Sequence, residues 1–123
     1  MAEIEDIHSI DDFCSLDRNA VLSLNNAHAK ETSVLDEDSL GELLKMAFYA
    51  RGIDRGATAF LIALDQNAPY LNPNFSWFKE HRESFVYIDR IIVAPSARGQ
   101  GLAKILYGDL CGVAKQAGHD RVV

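Results

Sequence analysis

The feature that most constrains the fold is a run of β-branched and aromatic residues that leads, through a proline and two glycines, into a long amphipathic pattern. The run covers residues 85–93, Pro95 follows it, and Gly99 and Gly101 precede apolar residues that recur at helical spacing as far as residue 117. The first turn of a helix carries backbone N–H groups without intrahelical partners, and the helix dipole adds positive potential there. Glycine lets an anionic group approach the backbone closely. The segment therefore predicts a strand, a tight turn and a helix whose N-terminus can bind phosphate.

Two common phosphate-binding motifs do not fit this segment. A Walker loop needs Gly-x-x-x-x-Gly-Lys-Ser/Thr, which is absent, and a dinucleotide fingerprint needs a third glycine where the sequence has Lys104. The residues from Arg98 to Ala103, Arg-Gly-Gln-Gly-Leu-Ala, instead match Arg/Gln-x-x-Gly-x-Gly/Ala, and Ile-Ile-Val-Ala-Pro comes just before them. Together these residues resemble motif A of the GNAT superfamily of N-acetyltransferases. The alternative is a structural strand-to-helix turn in which the glycines are incidental.

The order of the other predicted elements also resembles that family, most strongly over residues 85–123. The stretch from Tyr70 to Trp77 and the later Tyr-Ile-Asp-Arg at 87–90 resemble a bacterial subgroup of predicted acetyltransferases. The resemblance implies an α/β (α+β) fold in a single domain, residues 1–123, with a mixed, mostly antiparallel sheet flanked by helices. Residues 1–10 are expected to form a loop or a first edge strand within residues 4–10. Two helices follow, at 16–29 (with Ser15 as N-cap) and at 36–47, and then a hairpin of strands 48–51 and 57–64 around a break at 52–56. The remaining predicted elements are a connection at 65–81 ending in a short helical turn at 76–81, the strand at 85–93, the helix at 101–117 closed by Gly118, and a strand beginning within 119–123.

The resemblance implies acetyl-CoA as the co-substrate and divides its site into two parts. The pyrophosphate would lie on the loop and the helix N-terminus, and the pantetheine arm would run along the backbone of the preceding strand. An amide N–H at Ile92 or Val93 would polarise the thioester carbonyl. The predicted cofactor-binding residues are Ile91, Ile92, Val93, Arg98, Gly99, Gln100, Gly101, Leu102, Ala103 and Lys104.

The resemblance also implies that an acceptor amine attacks the thioester directly, so that a base must take a proton from the amine. Asp89, on the same strand, is the candidate base. Strand alternation would place its side chain on one face with those of Tyr87, Ile91 and Val93. The alternative role for Asp89 is a salt bridge, for which the possible partners are Arg90, Arg82 and Arg98.

Two tyrosines and a loop complete the predicted site. Tyr87 and Tyr70 are weaker catalytic candidates, with packing as the alternative for both. Residues 69–78 are rich in aromatic and amide side chains and would border the acceptor pocket. The alternative for this loop is a small satellite core beneath it.

Composition limits the possible partners. The formal net charge of -6 argues against nonspecific nucleic-acid binding, which needs a positive field. The longest apolar run, residues 59–64, is far shorter than the roughly 20 residues of a membrane span, and the acidic N-terminus lacks a signal-peptide pattern, so we expect a cytoplasmic protein with no membrane partner. No Cys-x-x-Cys pair or shared ligand spacing occurs, so neither a disulfide nor a metal site is expected among Cys14, Cys111, His8, His28, His81 and His119.

The length of the sequence leads to three hypotheses about the state of the domain. A complete domain of the family continues with a strand, a helix that often carries a general-acid tyrosine, and usually two further strands, whereas this sequence ends at Val123. We therefore expect a C-terminally truncated domain that lacks the last strands and helix. It could be a truncated enzyme that acetylates a small-molecule or peptide amine, or a short protein whose open sheet edge is completed by a second copy in a homodimer. The alternative function is a non-catalytic CoA-binding or protein-interaction module.

Overall fold

The computed structural model describes residues 6–28 and 33–123, and its sheet carries helices on both faces. The described elements are, in chain order, β1 (Ile7–Ser9), α1 (Ser15–Ala27), α2 (Glu37–Met46), β2 (Tyr49–Ile53), β3 (Ala59–Asp65), α3 (Pro73–His81), β4 (Val86–Val93) and α4 (Leu102–Gln116). Short 3-10 turns at Asp54–Gly56 and Pro95–Ala97 follow β2 and β4. The predicted fold class, a mostly antiparallel sheet flanked by helices, is confirmed.

The sheet has the order β1-β2-β3-β4, and each strand is antiparallel to its neighbour. A parallel bridge between Val86 and Val122 makes it mixed. The side chains of β3 from Ala59 to Leu64 are fully buried, as the unbroken apolar run predicts, because both faces of this strand are covered. Alternate residues of β3 enter two apolar clusters, one formed with α1, α2 and α3 and the other formed with α4.

The connection between β2 and β3 begins later than the predicted break at 52–56. β2 continues through Ile53, and the chain turns at Asp54 and Arg55, whose φ values are 54° and 59°. Gly52 is therefore a strand residue and not a turn residue. A Cβ at this position would lie 2.8 Å from the carbonyl oxygen of Ala59, so glycine is needed here for close packing against β3.

The start of α2 explains the acidic run at 36–38. The Asp36 carboxylate accepts a hydrogen bond from the Ser39 backbone N–H at 2.8 Å, and the Ser39 hydroxyl oxygen accepts one from the Asp36 N–H at 2.9 Å. This reciprocal pair is a capping box. The acidic run therefore begins a helix, with Asp36 as its N-cap and Glu37 and Asp38 in its first turn.

Two helix starts differ from the predictions. Ser15 is the first residue of α1 and not its N-cap, because Cys14 occupies the cap position without a side-chain hydrogen bond. α3 is a nine-residue helix and not a short turn at 76–81, because the Asn72 side chain caps it by accepting from the N–H groups of Asn74 and Phe75. The predicted parts of the first strand at residues 4–5 and of the first helix at residue 29 lie outside the described residues.

The end of α4 follows the prediction. Gly118 has a φ of 86°, its N–H donates to the Lys115 carbonyl, and the next N–H, of His119, donates to the Ala114 carbonyl. The chain then returns to the sheet, where the Val123 N–H donates to the Val86 carbonyl at 2.8 Å. The predicted strand within 119–123 thus begins beside β4.

Candidate functional site

A β-bulge in β4 is the feature that organises the site. Ile88 pairs with Ala63 and Arg90 with Ile62, so Asp89 has no partner residue on β3. The extra residue reverses the alternation of side chains along the strand. Upstream of the bulge Val86 and Ile88 face the α4 cluster, and downstream of it Ile91 and Val93 do.

The bulge overturns one prediction. Tyr87 packs in the cluster beneath α1, α2 and α3, whereas Ile91 and Val93 face α4. The expectation that Asp89 shares a face with all three is therefore wrong. The Asp89 side chain contacts Tyr70 and Arg90, and Tyr70 packs against the same cluster as Tyr87.

The bulge also reverses the direction of the backbone amides. Upstream, the N–H groups of Val86 and Ile88 donate away from β3, to the carbonyls of Arg121 and Val123 at 2.8 and 3.1 Å. Downstream, the Ala94 N–H donates toward β3, to the Thr58 carbonyl at 2.8 Å. Because amide directions alternate along a strand, the Ile92 N–H also points to β3, and the N–H groups of Ile91 and Val93 point to the outer edge. Of the two predicted carbonyl polarisers, only Val93 presents its amide at that edge.

The loop after β4 provides the geometry expected of a phosphate site. Gly99 and Gly101 have φ values of 85° and 76°, which favour glycine, and a Cβ added at either would meet nothing within 4 Å. Gly101 is the N-cap of α4, and its carbonyl accepts the first helical hydrogen bond, from Ile105, at 3.1 Å. The backbone beside this loop is thus open to a ligand.

The charges and amides of this loop also suit an anion. The N–H groups of Leu102, Ala103 and Lys104 lie in the first turn of α4, where they have no intrahelical acceptor. The Leu102 side chain is buried beneath α4, so its contribution to a ligand is its backbone. Arg98 donates from Nε to the Val93 carbonyl at 3.3 Å, and Gln100 is exposed. Residues 94–108 carry two basic side chains and no carboxylate, so the donor set fits a pyrophosphate.

Asp89 is held by two neighbours. Its Oδ1 accepts the Tyr70 hydroxyl at 2.5 Å, and its Oδ2 accepts Arg90 Nε at 2.7 Å. The side chains of Asp89 and Arg90 are each only 5% exposed. Burial raises the pKa of the Tyr70 hydroxyl, and the hydrogen bond to Asp89 raises it further, so Tyr70 stays protonated at neutral pH. The predicted alternative, a salt bridge of Asp89 with an arginine, is formed with Arg90.

Arg90 extends this network to residues that are distant in the sequence. Its NH1 donates to Asn25 Oδ1 at 2.9 Å and to the Ser33 carbonyl at 3.0 Å, and its NH2 donates to Ser33 Oγ at 3.0 Å. These contacts tie the bulge to α1 and to the segment before α2. The sequence analysis did not identify Asn25 or Ser33, since nothing in the local pattern marks contacts with so distant a residue.

Tyr87 has the surroundings of a packing residue. Its ring lies edge-on to Phe75 with centroids 5.6 Å apart, and it also contacts the Phe78 ring. Burial raises the pKa of its hydroxyl. Phe75 itself is fully buried in the cluster beneath α1, α2 and α3, so the loop at 69–78 belongs in part to the main core.

A groove lies between α2 and the segment that leads into α3. Leu43 and Met46 of α2 form one wall, and Pro69, Tyr70 and Leu71 form the other. Arg90 also lines it, so the groove reaches the network around Asp89. Of the residues 69–78 that were expected to border the acceptor pocket, positions 69–71 line this groove; its use by an acceptor stays a prediction. The wall contributed by α2 was not predicted, because its residues carry no signal beyond an amphipathic helix.

No three His, Cys, Asp or Glu side chains in residues 6–28 and 33–123 are grouped so that they could hold a metal ion. Across the same residues, every helix is too short or too polar to cross a bilayer.

The fold and the site define a class of protein: an α+β domain in which a bulged strand and a glycine-containing loop lead into a helix N-terminus whose first amides are open to a ligand. Residues 62–123 match the family model described as "Acetyltransferase (GNAT) family". The chain therefore belongs to the GNAT acetyltransferase family, whose members are acyltransferases. No curated protein matches the chain.

Solved structures of low sequence identity share the fold. An acetyltransferase from Trypanosoma brucei is 18% identical with a TM-score of 0.64, and the match covers 95% of this chain and 79% of that one. An aminoglycoside acetyltransferase from an uncultured soil metagenomic sample, in complex with sisomicin, is 18% identical with a TM-score of 0.66, over 95% and 74% of the two chains. A ribosomal-protein-alanine N-acetyltransferase from Brucella melitensis is 20% identical with a TM-score of 0.60, again over 95% and 74%.

Proposed function

We propose that the chain is an acetyl-CoA-dependent N-acetyltransferase that moves an acetyl group to an amine by direct attack of the amine. The observation that carries the proposal is the reversal in β4, which turns the amides of Ile91 and Val93 to the outer edge just before the loop of Gly99 and Gly101. An edge of free amides followed by an open helix N-terminus suits a long ligand with an amide-containing arm and a phosphate group.

The residues of this chain divide the work of binding between backbone and side chain. The outer edge of β4 at Ile91 and Val93 would hold the pantetheine arm. The N–H groups of Leu102, Ala103 and Lys104, with the backbone of Gly99, Gln100 and Gly101, would hold the pyrophosphate. Arg98 and Lys104 add positive charge to a chain whose net charge is -6. When bound, acetyl-CoA supplies the acetyl group as a thioester.

Two groups would act on the reaction itself. The Val93 N–H would donate to the carbonyl oxygen, where negative charge develops as the amine attacks. Asp89, which is paired with Arg90, would take the proton that the amine loses. Tyr87 stays a weaker catalytic candidate, because the contacts of its ring are those of a core side chain.

One observation favours the alternative of a non-catalytic CoA-binding module. Both Asp89 oxygens already accept hydrogen bonds, and the side chain is almost fully buried. An amine that had to reach Asp89 directly would find it closed. The two functions differ in turnover and share acetyl-CoA binding, so binding and turnover have to be measured separately.

The first experiment is a calorimetric titration of acetyl-CoA into the chain, with Gly101→Asp and Gly118→Asp as a matched pair. Both glycines have positive φ, and a Cβ at either meets nothing within 4 Å, so the two substitutions strain α4 similarly at opposite ends. We expect one-site binding by the wild type and by Gly118→Asp, and none by Gly101→Asp, whose carboxylate would repel the phosphates. Binding that survives Gly101→Asp unchanged would contradict the proposed site. Release of free thiol with an amine then separates the enzyme from the module.

We further propose that the chain forms a homodimer through the outer edge of β4. The N–H groups of Val86 and Ile88 are used by residues 121 and 123, and beyond them no strand lies beside β4 within the described residues. Unpaired strand edges favour pairing with a second chain.

A further inference from the structure

The groove between α2 and residues 69–71 has a volume of about 330 Å³, at the lower end of the range for small-molecule sites, about 300–1,000 Å³. We propose that it is the acceptor site, and that the acceptor is a primary amine carried by a compact apolar group without a carboxylate. The inference rests on the proposed acetyltransferase function and adds the substrate class.

The position of the groove joins it to the predicted chemistry. Tyr70 and Arg90 line it, and both are bonded to Asp89, the bulge residue. Ile91, the first residue with its amide at the outer edge, is two positions further along β4, or about 7 Å at the rise of an extended strand. An amine at Tyr70 would therefore lie near the place where the thioester is expected.

The walls of the groove favour an apolar substituent. Leu43 and Met46 form its α2 side, and Val34 and Leu71 stand at its rim. Val34 is 67% exposed and Leu71 is 96% exposed, so two aliphatic side chains beside the opening lack apolar cover in the described structure. A ligand that covers them gains the free energy of removing apolar surface from water.

The charges of the groove favour a cation and disfavour a carboxylate. Glu42 lines the groove, and within the described residues it has no ion-pair or hydrogen-bond partner, so it can bind an ammonium group. Arg90 lines it too, but its guanidinium is buried and bonded to Asp89, Asn25 and Ser33. Lys45 lines the neighbouring cavity and not this one. Among the described residues that line this groove, an amino acid would thus find no free cationic side chain for its carboxylate.

The Tyr70 hydroxyl connects the groove with the buried Asp89. A hydroxyl oxygen can accept a proton while its own proton is donated. The bound ammonium first releases one proton to water. As the neutral amine nitrogen then forms its bond to the carbonyl carbon, the C–S bond breaks and the thiolate leaves with the electron pair. The amine proton passes to Tyr70 Oη as the Tyr70 proton passes to Asp89 Oδ1, and Asp89 later gives it to the thiolate through water. This path makes direct contact between the amine and Asp89 unnecessary.

The test compares 2-phenylethylamine with phenylalanine, which carries the same amine and aromatic group and adds a carboxylate. After acetyl-CoA binding is established by calorimetry, thiol release is measured for both. We expect kcat/KM for the amine to exceed that for the amino acid by about 100-fold, as when a site lacks a partner for a polar group. Equal values, or a preference for phenylalanine, with acetyl-CoA binding intact would overturn the inference and leave the proposed function standing. Absence of acetyl-CoA binding would overturn both.

Substitutions test whether the activity with 2-phenylethylamine depends on side chains of the groove. Glu42→Gln should lower kcat/KM for 2-phenylethylamine by about tenfold, whereas Glu80→Gln, an exposed carboxylate on α3, should leave it unchanged. Tyr70→Phe keeps the ring and removes the relay, so kcat should fall by about 100-fold with unchanged acetyl-CoA affinity. Activity of Tyr70→Phe equal to the wild type would overturn the relay.

Binding of the amine in the groove can also be measured by NMR, without turnover. In two-dimensional NMR spectra of the labelled chain, 2-phenylethylamine should shift the amide signals of Leu43 and Leu71, on the two walls of the groove. Gly118, at the far end of α4, serves as the reference signal. Shifts confined to other parts of the molecule would place the amine elsewhere and would overturn the assignment of the groove.

Discussion

Arg90 is the buried side chain on which the polar contacts of the site converge. It pairs with Asp89 next to it and bonds Asn25 and Ser33, which lie 65 and 57 residues away in the chain. A buried charge is costly unless its hydrogen bonds are satisfied, and here four of them are. The network therefore holds the bulge, the end of α1 and the groove in one arrangement.

Arg90→Met should lower the free energy of unfolding by about 3–5 kcal/mol, because it leaves the buried Asp89 without its cation. Arg51→Met is the matched control, since Arg51 also pairs with an aspartate, Asp109, but its side chain is 36% exposed. We expect a loss of about 0–1 kcal/mol there. Urea denaturation at neutral pH measures both, and similar losses in the two variants would contradict the importance of the buried network.

For single residues, the sequence predicted the ion pair of Asp89 and Arg90 as an alternative but not the other contacts of these two side chains. Asp89 and Arg90 stand next to each other, and a salt bridge between them was one of the alternatives for Asp89. The partners Asn25 and Ser33 depend on how distant elements pack, which local spacing does not reveal. The contact of Tyr70 with Asp89, 19 residues apart, is a similar case.

Among the elements, α2 shows how the stability contributed by a helix N-cap depends on pH. Hydrogen bonds from the Ser39 backbone, and next from its side chain, lower the pKa of Asp36 below its ordinary value. The folded chain then binds fewer protons at this site than the unfolded chain. The stability that the cap contributes is therefore fully present above the unfolded pKa of about 4 and is lost as the pH falls through the lower folded value.

Replacement of Asp36 separates capping from ionisation. Asn caps a helix about as well as Asp but does not titrate, so Asp36→Asn should keep its stability at pH 7 and lose less of it than the wild type as the pH falls below about 4. Asp36→Ala should be less stable at every pH, because the cap is gone. Thermal unfolding followed by circular dichroism over this range gives the comparison. Identical acid-side slopes for the wild type and Asp36→Asn would count against the assignment.

The elements also show what periodicity can and cannot predict. It gave β3, β4, α2 and α4 close to their observed bounds, because each has a strong apolar pattern. It missed the start of α3 because the apolar residues of this helix are aromatic and irregularly spaced, although Asn72 and Pro73 are good start signals. It missed the bulge at Asp89 because one inserted residue leaves the composition of a strand unchanged.

For the whole molecule, the prediction of a mixed, mostly antiparallel sheet flanked by helices is correct. It rested on the order of the elements and on motif A, and the family match over residues 62–123 agrees with it. The acceptor could not be predicted, because the groove is assembled from α2, the loop after β3 and β4, which are far apart in the sequence.

The proposed dimer and the proposed co-substrate would use the same edge of β4. We therefore expect the chain to sediment as a dimer at micromolar concentration and to dissociate when acetyl-CoA is added, because the pantetheine arm would replace the partner strand. Analytical ultracentrifugation with and without acetyl-CoA tests this, with Gly101→Asp as the control that should remain dimeric. A monomer at all micromolar concentrations would contradict the dimer.

The bulge at Asp89 divides β4 into two parts in which the alternation of side chains and backbone amides is opposite. Residues before it present one set of amides to the strand at 121–123, and residues after it present the complementary set to the outer edge. Deleting Asp89 would remove the bulge and reverse the alternation of the residues after it. The amides of Ile91 and Val93 would then point to β3, although no side chain downstream had changed. One inserted residue, Asp89, thus separates the part of β4 whose outer amides bond residues 121–123 from the part whose outer amides are available to a ligand.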